Sequence, residues 1–288
     1  MNQILKLYYG IDKEVSPPQY FYYQNQLYYF TNIDLQVLEI YQYYRYLMNQ
    51  CGYQGYTLIK NFNDEVHSHQ HMLLLYNECQ FDFLTYTRVF LQPIPQNKMM
   101  ITHIKEQWIS KIDNVKEMVK QYAYSFKHNP ELVSLIYYYT GLGENSISIL
   151  NEILLMNKNA SIMMGLSLKH KVSHYVYDVL NPTHYVMSSR MRQLVYLVKS
   201  QLLTGEMLKE LLETQYFDLY ELLYFYARLL FPSTFFDDVL NHQLSPERIN
   251  EYFFEVEKEK KLYQEMTVIL SFYVSLPKIG WINRKNMI

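Results

Sequence analysis

Aromatic and polar positions alternate over the first thirty or so residues: Tyr20-Phe21-Tyr22-Tyr23, then Gln24-Asn25-Gln26, then Leu27-Tyr28-Tyr29-Phe30. A period of two with a polar break predicts a β-hairpin. From Asp34 the repeat lengthens, and Leu35, Leu38, Tyr41 or Gln42, Arg45 and Met48 recur at helical spacing. Asp34 suits the N-cap of that helix and Gly52 its stop. Strand-like patterning returns between Tyr56 and Asn77, with Asn63-Asp64 as a turn between Thr57–Phe62 and Val66–Tyr76. The prolines of Gln92-Pro93-Ile94-Pro95-Gln96 then favour an extended linker.

Beyond the linker the apolar period is 3.6. It predicts helices over Ile104–Phe126, Pro130–Asn157, Ser189–Gln201, Gly205–Thr214, Asp218–Leu230 and Ser245–Ser275. Between Met156 and Ser188 the period breaks into short β-like runs divided by Asn181-Pro182. The pattern therefore reads as an α+β chain with a small β-rich lobe over 1–91 and a larger α-helical lobe over 92–288, the latter holding a hairpin at about 166–188.

Composition narrows the function classes. A chain of 288 residues with 49% hydrophobic residues is long enough for one large domain or for two lobes with separate cores. Net charge is −2 and no long Lys/Arg block occurs, which argues against nucleic acid as a partner. The N-terminal stretch carries one lysine and a short apolar run before charges, so it reads as neither a signal peptide nor a membrane span, and cytoplasmic synthesis is expected. Two cysteines, Cys51 and Cys79, make no disulfide framework or zinc knuckle and read as buried thiols. The 31 tyrosines against 8 glycines fit either a compositional bias of an AT-rich genome or selection for an adhesive, cross-linkable surface. Their spread along the chain, beside plentiful Asn and Lys, favours the first.

Three segments carry a family likeness: Tyr137–Ile153 (YYYTGLGENSISILNEI), Asn181–Leu203 (NPTHYVMSSRMRQLVYLVKSQLL) and Glu221–Val239 (ELLYFYARLLFPSTFFDDV). They resemble the spore-coat kinase-like proteins of the CotS and YutH group, in the aminoglycoside phosphotransferase and protein kinase-like superfamily. The likeness runs from about Trp108 to Trp281 and implies a bilobal protein kinase-like fold. It also implies where an active site belongs. Phosphoryl transfer needs a loop over the phosphates, a lysine on them, an orienting Asp, and Asp and Asn ligands for Mg²⁺.

In such proteins the catalytic loop reads H-x-D with an Asn five residues on. If His170 holds the histidine position, the base falls on Val172 and the Asn on Tyr177, and neither can do the chemistry. Where the family reads P-T-D-W this chain reads Pro182-Thr183-His184-Tyr185, so His184 replaces the second metal-binding Asp. Asp178 is the one carboxylate that could survive, but on a strand it would point to the opposite face. The first lobe agrees: no lysine lies in Leu27–Thr31, Glu39 has no evident partner, and the turn between Tyr9 and Gln19 holds prolines, which lack the N–H that cradles phosphate.

The implied protein is thus a pseudokinase without catalytic residues, metal or cofactor, serving as a structural or assembly component of the bacterial spore coat. Its partners would be other coat or assembly proteins, and it would be made in the cytoplasm and deposited on the coat. An active small-molecule phosphotransferase using Asp178, and a pseudokinase that binds nucleotide without metal, stay open as alternatives. Other candidates are thinner. His67, His69 and His71 share a strand face with no further ligand placed beside them, no G-x-S-x-G supports a hydrolase, and Arg228 could anchor a buried ion pair.

Overall fold

The structure is a computed structural model and describes residues 4–32, 35–65, 71–94, 96–121, 129–169, 172–173, 175–277 and 279. The chain is α+β, with an antiparallel sheet in its N-terminal part and helices through most of the rest, as the kinase-like expectation requires. It divides into two compact units, residues 1–92 with 165–188, and residues 93–164 with 189–288.

The first unit is built on a four-stranded antiparallel sheet of order β1-β2-β4-β3, from β1 (Gln19–Tyr23), β2 (Gln26–Asn32), β3 (Tyr56–Ile59) and β4 (His71–Tyr76). The expected hairpin is present. Tyr23 pairs with Gln26, and Gln24 and Asn25 both take positive φ, 48° and 62°, the backbone of a two-residue turn that matches strand twist. Cross-strand pairing then sorts the aromatics. Phe21 lies opposite Tyr28 with rings 5.5 Å apart, and Phe30 lies opposite Leu73. That face is buried with Leu5 of α1 (Ile4–Tyr9) and with Ile11 and Val15. Pleating sends Tyr20, Tyr29, Leu74, Tyr56 and Tyr76 to the other face.

Helix α2 (Leu35–Cys51) ends where expected. Gly52 takes φ 74°, its N–H reaches Asn49 O, and Tyr53 N–H reaches Met48 O, the paired closure that a left-handed residue permits. The Asp34 cap lies outside the described residues, as do His67 and His69. Gly55 is needed for a different reason: a Cβ there would sit 2.5 Å from the Tyr44 hydroxyl. The eight-residue α3 (Phe83–Phe90) is too short to register as a period, yet Asp82 caps it by accepting from the Leu84 and Thr85 amides.

In the second unit β5 (Lys98–Met100) pairs with the start of β6 (Ser161–Leu168), which continues into the first unit, beside β7 (Tyr185–Ser189). The helices follow the predicted periods: α4 (Ile101–Gln121), α5 (Pro130–Met156), and, after the hairpin region, α7 (Arg190–Lys199), α8 (Gly205–Thr214), α9 (Leu219–Leu230) and α11 (Pro246–Leu270). Asp218 and Glu221 form a reciprocal capping box at the start of α9. Sequence periodicity passed over α10 (Ser233–Leu240), because Pro232 ends one helix and then stands at the N-cap of the next. Trp108 stacks on Phe231 at 4.1 Å and Tyr139 on Phe235 at 4.3 Å, and Gly143 lets Ile112 and Phe236 approach α5 closely.

Candidate functional site

The positions that should carry phosphotransfer lie in the first unit, under the tyrosine face of the sheet. His170 lies outside the described residues. Val172 is buried and offers no polar atom. Asp178 is not on a strand: Val176–Val179 forms one helical turn, α6, followed by a 3₁₀ turn over Pro182–His184. The β-like run of Tyr, Val and Tyr is overridden here by side chains that satisfy the backbone carbonyls a helix end leaves open.

Those carbonyls are closed one after another. Tyr56 donates to Tyr177 O at 2.8 Å, His184 Nδ1 to Asp178 O at 2.9 Å and Tyr185 to Val179 O at 2.6 Å, and Tyr44 donates to Leu180 O. A carbonyl only accepts, so His184 Nδ1 carries its proton. The Tyr185 hydroxyl spends its single hydrogen on Val179, so the Tyr86 hydroxyl, 2.5 Å away, is the donor between those two. Tyr44, Tyr56, Tyr86 and Tyr185 are all fully buried. These tyrosines are structural ties, which neither a codon bias nor an adhesive surface explains by itself.

Asp178 itself is engaged on every side. Its Oδ1 accepts from the Tyr20 hydroxyl at 3.1 Å and lies 3.4 Å from His184 Nδ1; its Oδ2 accepts from the Ser173 amide at 2.7 Å. Burial pushes its carboxyl upward, but the Ser173 hydrogen bonds, the His184 ring and the Tyr20 hydroxyl outweigh that and hold it below its usual range. Asn181, fully buried, donates to the Tyr20 oxygen at 2.8 Å and accepts from the Thr183 amide and hydroxyl. Burial raises the Tyr20 phenol well above its ordinary range, so it stays a donor. The Tyr177 ring stacks on Tyr175 at 5.2 Å and meets Tyr20 edge-on at 5.1 Å, far from the role of a metal ligand.

Mg²⁺ with a nucleotide demands free carboxylate and amide oxygens converging on open space. Here the carboxylate oxygens of Asp178 and the amide of Asn181 are taken by protein donors and acceptors, and the proton on His184 Nδ1 blocks that nitrogen as a ligand. Among the described residues no group of three His, Cys, Asp or Glu side chains is placed to hold a metal. Among the described residues, this set does not fit the group.

Against this geometry stands the result of comparison with known families. The family model described as "Spore coat putative kinase YutH" matches residues 83–270, more than half of the chain. The chain belongs to this spore-coat kinase-like family. No curated protein and no solved structure matches it. The matched span holds every position just described except those on the sheet and α2, so Tyr20, Tyr44 and Tyr56 come from outside it.

Among this family member's described residues no helix is long and apolar enough to cross a membrane. Reading for catalytic types missed Tyr20 and Asn181. The available signal was Asn181 before Pro-Thr, the pattern of a capped turn whose side chain faces inward. Among the described residues of the second unit, Arg190 and Glu221 form a buried ion pair, bidentate through Nε and Nη2, with Arg190 also packed on Phe217. The Arg228 guanidinium lies over the Trp108 ring.

Proposed function

We propose that this protein is a non-catalytic, kinase-like structural or assembly component of the spore coat, a pseudokinase whose former metal centre has become an internal latch. One observation carries the reading: the Asp178 carboxylate is engaged with Tyr20, the Ser173 amide and His184, so it is committed to holding the fold. Membership of a spore-coat family supports the setting. Its partners are then other coat or assembly proteins, and it is made in the cytoplasm and deposited on the coat. Neither nucleotide nor metal is needed for that role.

The test is complementation with a conservative change. Asp178→Asn keeps the shape and an acceptor for Tyr20 but removes the charge that magnesium chemistry requires. In spore-forming cells lacking the native gene, Asp178→Asn supplied at wild-type level restores coat assembly as the wild type does. Loss of coat assembly with normal protein level and an unchanged melting curve would contradict the proposal and point to phosphotransfer.

A further inference from the structure

Cys51 and Cys79 are both half-buried and unpaired by a disulfide, where the pattern read them as buried thiols. The second unit holds polar groups set deeper. Helix α11 turns one stripe inward, with Tyr252, Val256 and Tyr263 buried and Glu259 one turn before Tyr263. Helix α5 lies against that stripe. The Tyr139 ring meets Tyr252 edge-on at 5.6 Å, and Lys260 Nζ stands 5.8 Å over the Tyr138 ring. The paired tyrosines of α5 therefore face α11 between residues 252 and 260, the turns that carry Glu259. Tyr139 is 1% exposed and Tyr263 is 0% exposed.

Three buried atoms here have no hydrogen-bond partner among the described residues: Glu259 Oε2 and the hydroxyls of Tyr139 and Tyr263. The hydroxyls nevertheless bear on the carboxylate and favour its charged form. They stand beside it without closing a direct bond. Buried polar atoms left in that state are costly, and folded proteins pair them through side chains, backbone or ordered water.

We propose that Glu259, Tyr139 and Tyr263 form a buried site for internal water, which bridges α5 to α11 where the side chains do not bond one another. The proposal stands apart from the coat reading and concerns the second unit alone. Charge selects the ligand. Lys199 acts on Glu259 with one sign and Glu255 with the other, so the ammonium opposes a metal cation and the two carboxylates oppose an anion. What fits is a neutral molecule of water's size that both donates and accepts. It gives one hydrogen to Glu259 Oε2 and takes one from each tyrosine hydroxyl, so a single molecule satisfies all three groups.

The experiment joins a crystal structure of the full chain, at a resolution that shows ordered water, to urea denaturation of Tyr139→Phe and Tyr263→Phe. The expected density is a water within hydrogen-bond distance of Glu259 Oε2 and of both hydroxyls. Each variant then loses a satisfied bond, and its urea midpoint falls by about 0.5 M at an unchanged slope. In a dry site the same deletions remove an unsatisfied group, and the midpoints rise instead. Rising midpoints, a site with no water in it, or a peak that gains an anomalous signal after a rubidium soak and so marks a cation, would each overturn the proposal.

Discussion

The Tyr20 hydroxyl meets Asp178 Oδ1 at 3.1 Å, joining the edge strand of the sheet to the helical turn Val176–Val179. The same hydroxyl accepts from the fully buried Asn181. Tyr20→Phe keeps the ring and deletes both bonds, leaving the Asn181 amide without that acceptor. It should destabilise the protein by about 1–3 kcal/mol, the cost of an unsatisfied buried polar group, read as a lower urea midpoint with an unchanged slope.

Asp178 sets a pH dependence. Its carboxyl is held below the ordinary range, so the folded form binds its proton less readily than the unfolded chain, whose Asp titrates near about 3.9. The stabilisation is complete above that value and is lost as pH falls through the folded pKa. Wild type should therefore exceed Asp178→Asn in stability at pH 6 by a margin that shrinks steadily below pH 4. A margin that is flat with pH would show that the carboxylate charge is not what Tyr20, Ser173 and His184 hold.

Glu259 of α11 runs the other way. Burial raises its carboxyl, Lys199 opposes that, and Glu255 adds to it, while the Tyr139 and Tyr263 hydroxyls help the charged form. A raised acid binds its proton more tightly when folded, so its contribution is present at low pH and is lost as pH climbs above the unfolded value near about 4.3. Glu259→Gln should gain stability relative to wild type between pH 4 and pH 8, measured by urea titration across that range.

The Arg190–Glu221 pair should behave as a unit. Removing one partner strands a buried charge at a cost of about 3–5 kcal/mol, whereas Arg190→Met with Glu221→Leu removes both. The double variant should be more stable than the sum of the single losses predicts, and a double-mutant cycle by chemical denaturation checks it.

Much of the fold was legible from pattern. The hairpin at Gln24-Asn25, the Gly52 stop and the long helices each carry a local signal, a polar turn, a left-handed residue or a sustained apolar stripe, that tertiary context does not overturn. The candidate site was legible only in what it lacked. The resemblance sets Val172 and His184 where carboxylates are expected, but the fate of Asp178 rests on a partner 158 residues away in the chain, Tyr20, and no local rule joins them. The run Tyr175–Val179 illustrates the limit. Its composition favours a strand, and it becomes a helical turn because Tyr56, His184 and Tyr185 close its carbonyls from outside. The buried tyrosines were hidden for the same reason, since in a chain with 31 of them composition cannot mark which ones are ties.

The most direct test of the internal latch is a thermal melt of the full chain with and without millimolar ATP, each in the presence and absence of Mg²⁺. A ligand that binds only the folded state raises the melting temperature by mass action. The account predicts no shift under any of the four conditions. A rise that depends on Mg²⁺ would contradict it, because the Asp178 carboxylate would then have to leave Tyr20 and the Ser173 amide for the metal.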